Sequence, residues 1–336
     1  MVVATHTVGK EVAIFTAPPV AEAAWLQSGV DVFFVISGFI MVHVIRAETT
    51  PGRFWIDRFT RIAPLYWLAT AVAFAGGWLA PKWFFGAVSP GFALQSALFL
   101  PMGADANVRP LLSPGWTLTY EFAFYSLLAA CLVVRRPPFA LAAIAIGTGL
   151  VLGMLLFRQA PWATYYADDL LMLEFLLGMA AAWLISRASV GPRLSLLLAA
   201  MAFASLYFAW NPPGSWPRGL RLGIPGLVIL VGVLGSEPLW QRSLWLRRLA
   251  GLGDASYAIY IVHFFFVTAI TTFCRENPAF PQAIGPWPFM LGTFVIGIGS
   301  GLVAHRYVEK PLLKLVRSWL QQRRPAQPAI AAAAKV

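Results

Sequence analysis

The chain has 336 residues, of which 59% are hydrophobic and 12% charged, with a mean hydropathy of +0.71. Soluble domains carry charge on about a quarter of their residues, so this balance excludes one and points to an all-α integral membrane protein. The formal net charge of +11 is then a matter of position: in a polytopic protein, basic residues mark the cytoplasmic loops, and nucleic-acid binding is not implied.

The chain opens with MVVATH and a polar, proline-containing stretch to about Gln27. Six residues cannot cross the ~30 Å of a bilayer core, and the charged start of a signal peptide is missing. MVVATH therefore reads as the outer end of a truncated first helix. Next comes the stretch from Gly29 to Arg61, GVDVFFVISGFIMVHVIRAETTPGRFWIDRFTR. Its first half is long and apolar enough to span, and it runs straight into Arg53, Arg58 and Arg61. Three guanidiniums on roughly one side of a juxtamembrane helix suit phosphoanions, whether lipid head groups or a nucleotide-bearing cofactor. The alternative is topogenic, with the arginines only holding that end in the cytoplasm.

Apolar runs predict about nine complete spans, at 29–46, 63–80, 116–134, 138–157, 169–186, 194–210, 220–236, 255–273 and 287–304. A weaker run at 91–101, flanked by prolines, fits a re-entrant or interfacial segment. Alternate connections are basic: one set holds Arg46 to Arg61, Arg135 and Arg136, Arg187 and Arg193, Arg242 to Arg248, and Arg306 to Arg324. The other set holds Lys10, Lys82, Arg109, Arg158, Arg218, Arg221 and Arg275. The positive-inside rule puts the first set, and the C-terminus, in the cytoplasm. The chain divides into a transmembrane domain, 1–312, and a basic tail, 313–336, whose amphipathic start suits the inner leaflet and whose end has a disordered composition.

Polar groups inside spans are expensive, so those retained are candidates for function. Asp31 and Glu121 fall toward the outer side, and His6 ends its helix on the same side, giving a possible His, Asp and Glu group. A histidine held by a carboxylate can take a proton from a hydroxyl. The alternative for His6 is an exposed residue near a terminus. Tyr257, Tyr260 and His263 lie progressively deeper along GDASYAIYIVHFFFV, and a mid-membrane histidine needs a partner or a wet cavity. The alternative there is a core histidine satisfied by a backbone carbonyl or a tyrosine. Cys131 and Cys274 are isolated, and no hydrolase elbow, nucleotide loop or metal motif is present. His43 and His305 lie near inner span ends.

GVDVFFVISGFIM with RFWIDRFTRIAPLYWL, then WTLTYEFAFY, then LGDASYAIYIVHFF and finally VEKP resemble the successive signature blocks of the acyltransferase-3 family, over about residues 5–312. The resemblance implies an inner-membrane enzyme that moves an acyl group, commonly acetyl, from cytoplasmic acyl-CoA to a hydroxyl of a carbohydrate or glycolipid. It assigns His6 as the base that deprotonates the acceptor, with Glu121 or Asp31 orienting that histidine or the acceptor. Arg53, Arg58 and Arg61 would hold the donor, together with Tyr257, Tyr260 and His263, and no metal takes part. His263 is also a rival for the base. Thr117 stands where the family often has serine, and an arginine that the family carries upstream of His6 has no counterpart. Two other readings stay open: a transporter or flippase for a lipid-linked molecule, against which no internal repeat is found, and an inactive relative acting as a scaffold.

Overall fold

The structure, a computed structural model, describes residues 1–11, 14–15, 23–102, 109–134, 141–149, 166, 169–187, 190–210 and 216–322. Among these the chain is helical with no strand. The principal helices are α1 (Val2–Glu11), α2 (Gly29–Val44), α3 (Pro51–Leu79), α4 (Pro90–Ala97), α5 (Trp116–Val133) and α6 (Met172–Ile185). They continue as α7 (Pro192–Trp210), α8 (Gly223–Gly235), α9 (Leu244–Glu276), α10 (Pro286–Ala304) and α11 (Lys310–Gln322).

Seven described segments are long and apolar enough to cross a membrane: Trp25–Val44, Pro51–Leu79, Ser113–Val133, Pro192–Trp210, Arg218–Gly235, Leu244–Glu276 and Pro286–Gln322. The protein is a multi-pass, all-helical membrane protein. The expected count of nine is not reached among the described residues. The run at 169–186 forms only the 14-residue α6, because Leu170 takes a left-handed backbone (φ 52°) just before it. Most of the run at 138–157, and residues 323–336 of the tail, lie outside the described residues.

Apolar runs also understate two helices. α3 is 29 residues long, about 43 Å at the helical rise. The Thr50 side chain accepts from the Arg53 N–H and Pro51 occupies the first turn. The arginine-rich stretch is thus the start of the spanning helix itself. α9 runs for 33 residues, again beginning well before its apolar run.

Small residues set the closest crossings. At the α2–α6 crossing a Cβ on Gly38 would land on the Phe175 carbonyl, and one on Gly178 on the Val35 carbonyl; only glycine permits such backbone approach. Beside it Phe34, Phe124 and Phe175 stack, with centroids 4.8 and 4.3 Å apart. α3 and α5 run antiparallel, Trp55 bonding Ser126 at 3.2 Å. Tyr66, halfway along α3, fills the space over Gly115. The start of α5 therefore lies at mid-height of α3, which decides the depth of everything α5 carries.

Candidate active site

α9 acts as a ruler for the polar interior, through Tyr257, Tyr260 and His263. Six residues of helix separate the first from the last, about 9 Å.

At the His263 level, α1 packs against α9 and α10. Gly297 of α10 makes room: a Cβ there would lie 3.1 Å from Val3 and 3.5 Å from the Cβ of His263. His6 Nδ1 comes 2.8 Å from His263 Nε2. The two rings meet edge to edge, with centroids 5.0 Å apart and 10° between their planes, and Phe264 meets His6 edge-on at 5.2 Å. His263 is 0% exposed, and its Nδ1 donates to the Ile259 carbonyl at 2.8 Å. The structure thus joins the two histidines that the sequence offers as competing bases.

One turn along α9, the Tyr260 hydroxyl donates to the Pro114 carbonyl at 2.7 Å and lies 2.9 Å from Thr117 Oγ1. At the far mark Tyr257 donates to the Ile62 carbonyl at 2.7 Å, in the turn of α3 that also holds the interior Pro64. Both hydroxyls are committed to backbone carbonyls, so these tyrosines fasten α9 to α3 and α5.

Glu121 sits one turn beyond Thr117 on α5, on the side of the arginines. It is not at the His6 level, as its place near the start of a span suggests, because α5 begins at mid-height. Ser37 and Tyr125 both donate to its Oε1, at 3.1 and 2.7 Å, and the charges of Arg58 and Arg61 reach it. Arg61 lies 4.0 Å from Glu309 Oε1, and His305 Nδ1 is 2.6 Å from the other oxygen of Glu309. His305 to Glu309 form a π-turn between α10 and α11, a departure frequent at functional sites. The Nε of Arg58 is buried with no hydrogen-bond partner among the described residues. Arg53 stands apart, paired with Asp57 at 2.9 Å on the exposed surface.

Asp31 departs from expectation. Arg218 donates through Nε and Nη2 to its two carboxylate oxygens, both at 2.9 Å, and the pair is buried, with side-chain exposures of 0% and 15%. Arg218 also lies over the Trp210 ring at 5.4 Å, and the fully buried Glu174 is within electrostatic reach. Both oxygens of Asp31 accept from Arg218, which holds α2 to the turn before α8, a partner that the sequence did not reveal.

Sequence reasoning missed Ser37 and Tyr125 as supports of Glu121, Arg218 as the partner of Asp31, and Glu174 and Glu309. Glu174 carries a legible signal, a carboxylate inside an apolar run. Arg218 carries none, since it reads as an ordinary loop charge. Among the described residues no group of three or more His, Cys, Asp or Glu could hold a metal.

Comparisons with known proteins identify the family. The acyltransferase-3 family profile, described as an acyltransferase domain, matches residues 1–306. The exopolysaccharide production protein ExoZ of Rhizobium meliloti is 32% identical over 310 residues, covering 87% of this chain and 90% of that protein. Acyltransferase MdmB of Streptomyces mycarofaciens is 25% identical, covering 88% and 82%. The peptidoglycan O-acetyltransferase OatA of Listeria monocytogenes is 24% identical over 85% of this chain and 51% of its own length. No solved structure matches. The chain belongs to the acyltransferase-3 family and is an O-acyltransferase of the membrane.

Proposed function

We propose that this protein transfers an acyl group, acetyl in the first place, from acyl-CoA to a hydroxyl of a carbohydrate or glycolipid. The names of its relatives support the acceptor class: ExoZ for exopolysaccharide production and OatA for peptidoglycan O-acetylation. The observation that carries the reading is the His6–His263 contact inside the bundle, about 9 Å along α9 from the level where Arg58 and Arg61 gather.

In this reading the protein lies in the inner membrane with the arginine end and C-terminus cytoplasmic, as the distribution of basic residues favours. Arg58 and Arg61 take the phosphates of CoA through charge-assisted bonds, and Glu121, fixed by Ser37 and Tyr125, orients them. The thioester reaches along α9 toward the histidines, where His6 takes the proton of the acceptor. A base so placed contributes roughly 10²–10⁴-fold in rate, and positioning against the thioester supplies more. Residues 313–336 serve as a basic tail on the inner leaflet, α11 turning its apolar face to the lipid.

The test is purified protein in lipid nanodiscs with radiolabelled acetyl-CoA and an oligosaccharide acceptor. Label appearing in the acceptor as an alkali-labile ester is the expected result. Absence of ester, with movement of a lipid-linked glycan across proteoliposomes, would replace the enzyme with a transporter.

A further inference from the structure

The bond between the two histidines has a direction, and the backbone sets it. A carbonyl oxygen can only accept, so the 2.8 Å contact between His263 Nδ1 and the Ile259 carbonyl puts a hydrogen on Nδ1. A neutral imidazole protonated at Nδ1 carries its lone pair on Nε2. That Nε2 is 2.8 Å from His6 Nδ1, so His6 must be the donor in this contact, and its own lone pair falls on Nε2, across the ring.

The opposite arrangement needs hydrogens on both nitrogens of His263. That imidazolium would be fully buried, with Phe264 and Tyr260 rings beside it at 6.4 and 6.3 Å and Val267 and Gly297 packed nearby. Apolar surroundings of this kind strongly disfavour a charge. Ile259 lies one turn before His263 on the same helix, so the direction follows from the regular geometry of α9.

We infer that His263 is a positioning residue which fixes the tautomer of His6, making Nε2 of His6 the atom that takes the acceptor's proton; this rests on the reading of His6 as the base. His263 cannot itself serve as the base in this geometry, because the Ile259 carbonyl holds one of its nitrogens and His6 the other.

The step balances as follows. The hydroxyl proton moves to His6 Nε2 while the hydroxyl oxygen bonds to the carbonyl carbon of the acyl-CoA thioester. The C–S bond then breaks, the thiolate takes the proton from Nε2, and His6 returns to its starting tautomer. Throughout, the Nδ1 hydrogen of His6 stays in its bond to His263. While His6 is charged, that bond is charge-assisted and therefore stronger. The stabilisation is preorganised and grows only as the transition state is approached.

The test compares His263→Ala with His263→Gln, whose amide oxygen can accept from His6 Nδ1 in place of Nε2. Both are assayed for acyl transfer and for acyl-CoA binding in nanodiscs, and the histidine tautomers are read by 15N NMR of labelled protein. The expected result is a kcat roughly 10²-fold lower in His263→Ala, an unchanged KM for acyl-CoA, and recovery of most of the rate in His263→Gln. The wild-type spectrum should show His6 protonated at Nδ1, and His263→Ala a mixture of tautomers. Undiminished kcat in His263→Ala, a His6 protonated at Nε2 in the wild type, or equal loss in both variants with native donor binding would each overturn the inference. Wild-type transfer by His6→Ala would instead remove the base reading and its catalytic consequence, while the spectrum still judged the tautomer separately.

Discussion

The Asp31–Arg218 pair and the His6–His263 pair are both made of side chains that an apolar bundle buries at a cost, but they finish differently. In the first, two guanidinium nitrogens meet two carboxylate oxygens, each at 2.9 Å. A bidentate pair of this kind fixes both groups in one geometry, with the buried Glu174 beside it. In the second, a backbone carbonyl takes a hydrogen from His263, which takes one from His6, and a chain of neutral imidazoles must end in a lone pair. A bidentate ion pair ties elements together, whereas a relay of neutral imidazoles can exchange a proton. Burial and polarity do not separate structural from chemical groups here. What separates them is the kind of partner: a fixed opposite charge in one pair, and in the other a neutral imidazole that can pass a proton.

The largest test of this contrast removes half of the ion pair. Arg218→Ala leaves Asp31 buried and uncompensated, and about 3–5 kcal/mol of stability should be lost, read as a lower melting temperature in detergent. Replacing both partners by leucine should restore most of it, with acyl transfer per folded molecule kept. A stable double variant without transfer would place Asp31 in the site and end the distinction.

A smaller effect is expected at the donor end. Arg58→Ala or Arg61→Ala should remove a charge-assisted phosphate contact of about 1.5–3 kcal/mol. This appears as a ten- to hundredfold rise, on the order of that energy, in the Kd for acyl-CoA, with the fold unchanged. Unaltered donor affinity in both would return these arginines to a purely topogenic role. The least effect belongs to Arg53, whose pair with Asp57 is exposed at 53% and 48%. An i,i+4 surface pair contributes about 0.3–0.5 kcal/mol, so Arg53→Ala should match the wild type in donor affinity and melting temperature. A rise in Kd equal to that of Arg58→Ala would extend the donor site to the helix start.

These contrasts also show what sequence could reveal. The membrane class followed from composition, and the family from blocks such as WTLTYEFAFY, because apolar runs and local motifs lie along the chain. Depth did not. Glu121 near the start of a span reads as outer, but α5 starts at mid-height of α3 against Tyr66 and Gly115, a fact of packing with no local signature. Pairing was equally hidden: Asp31 lies 187 residues from Arg218, and His6 lies 257 from His263. The short α6 was missed because hydropathy measures apolarity and does not register a backbone break at Leu170.

The most direct measurement sets His6→Ala beside the Asp31→Leu, Arg218→Leu double variant in one single-turnover assay of acyl transfer, with acyl-CoA binding and folded fraction recorded for each. His6→Ala should fold, bind acyl-CoA as the wild type does, and lose roughly 10²–10⁴-fold in transfer, while the double variant transfers at the wild-type rate. Near-normal transfer by His6→Ala, in protein shown to be folded and loaded with donor, would contradict the account.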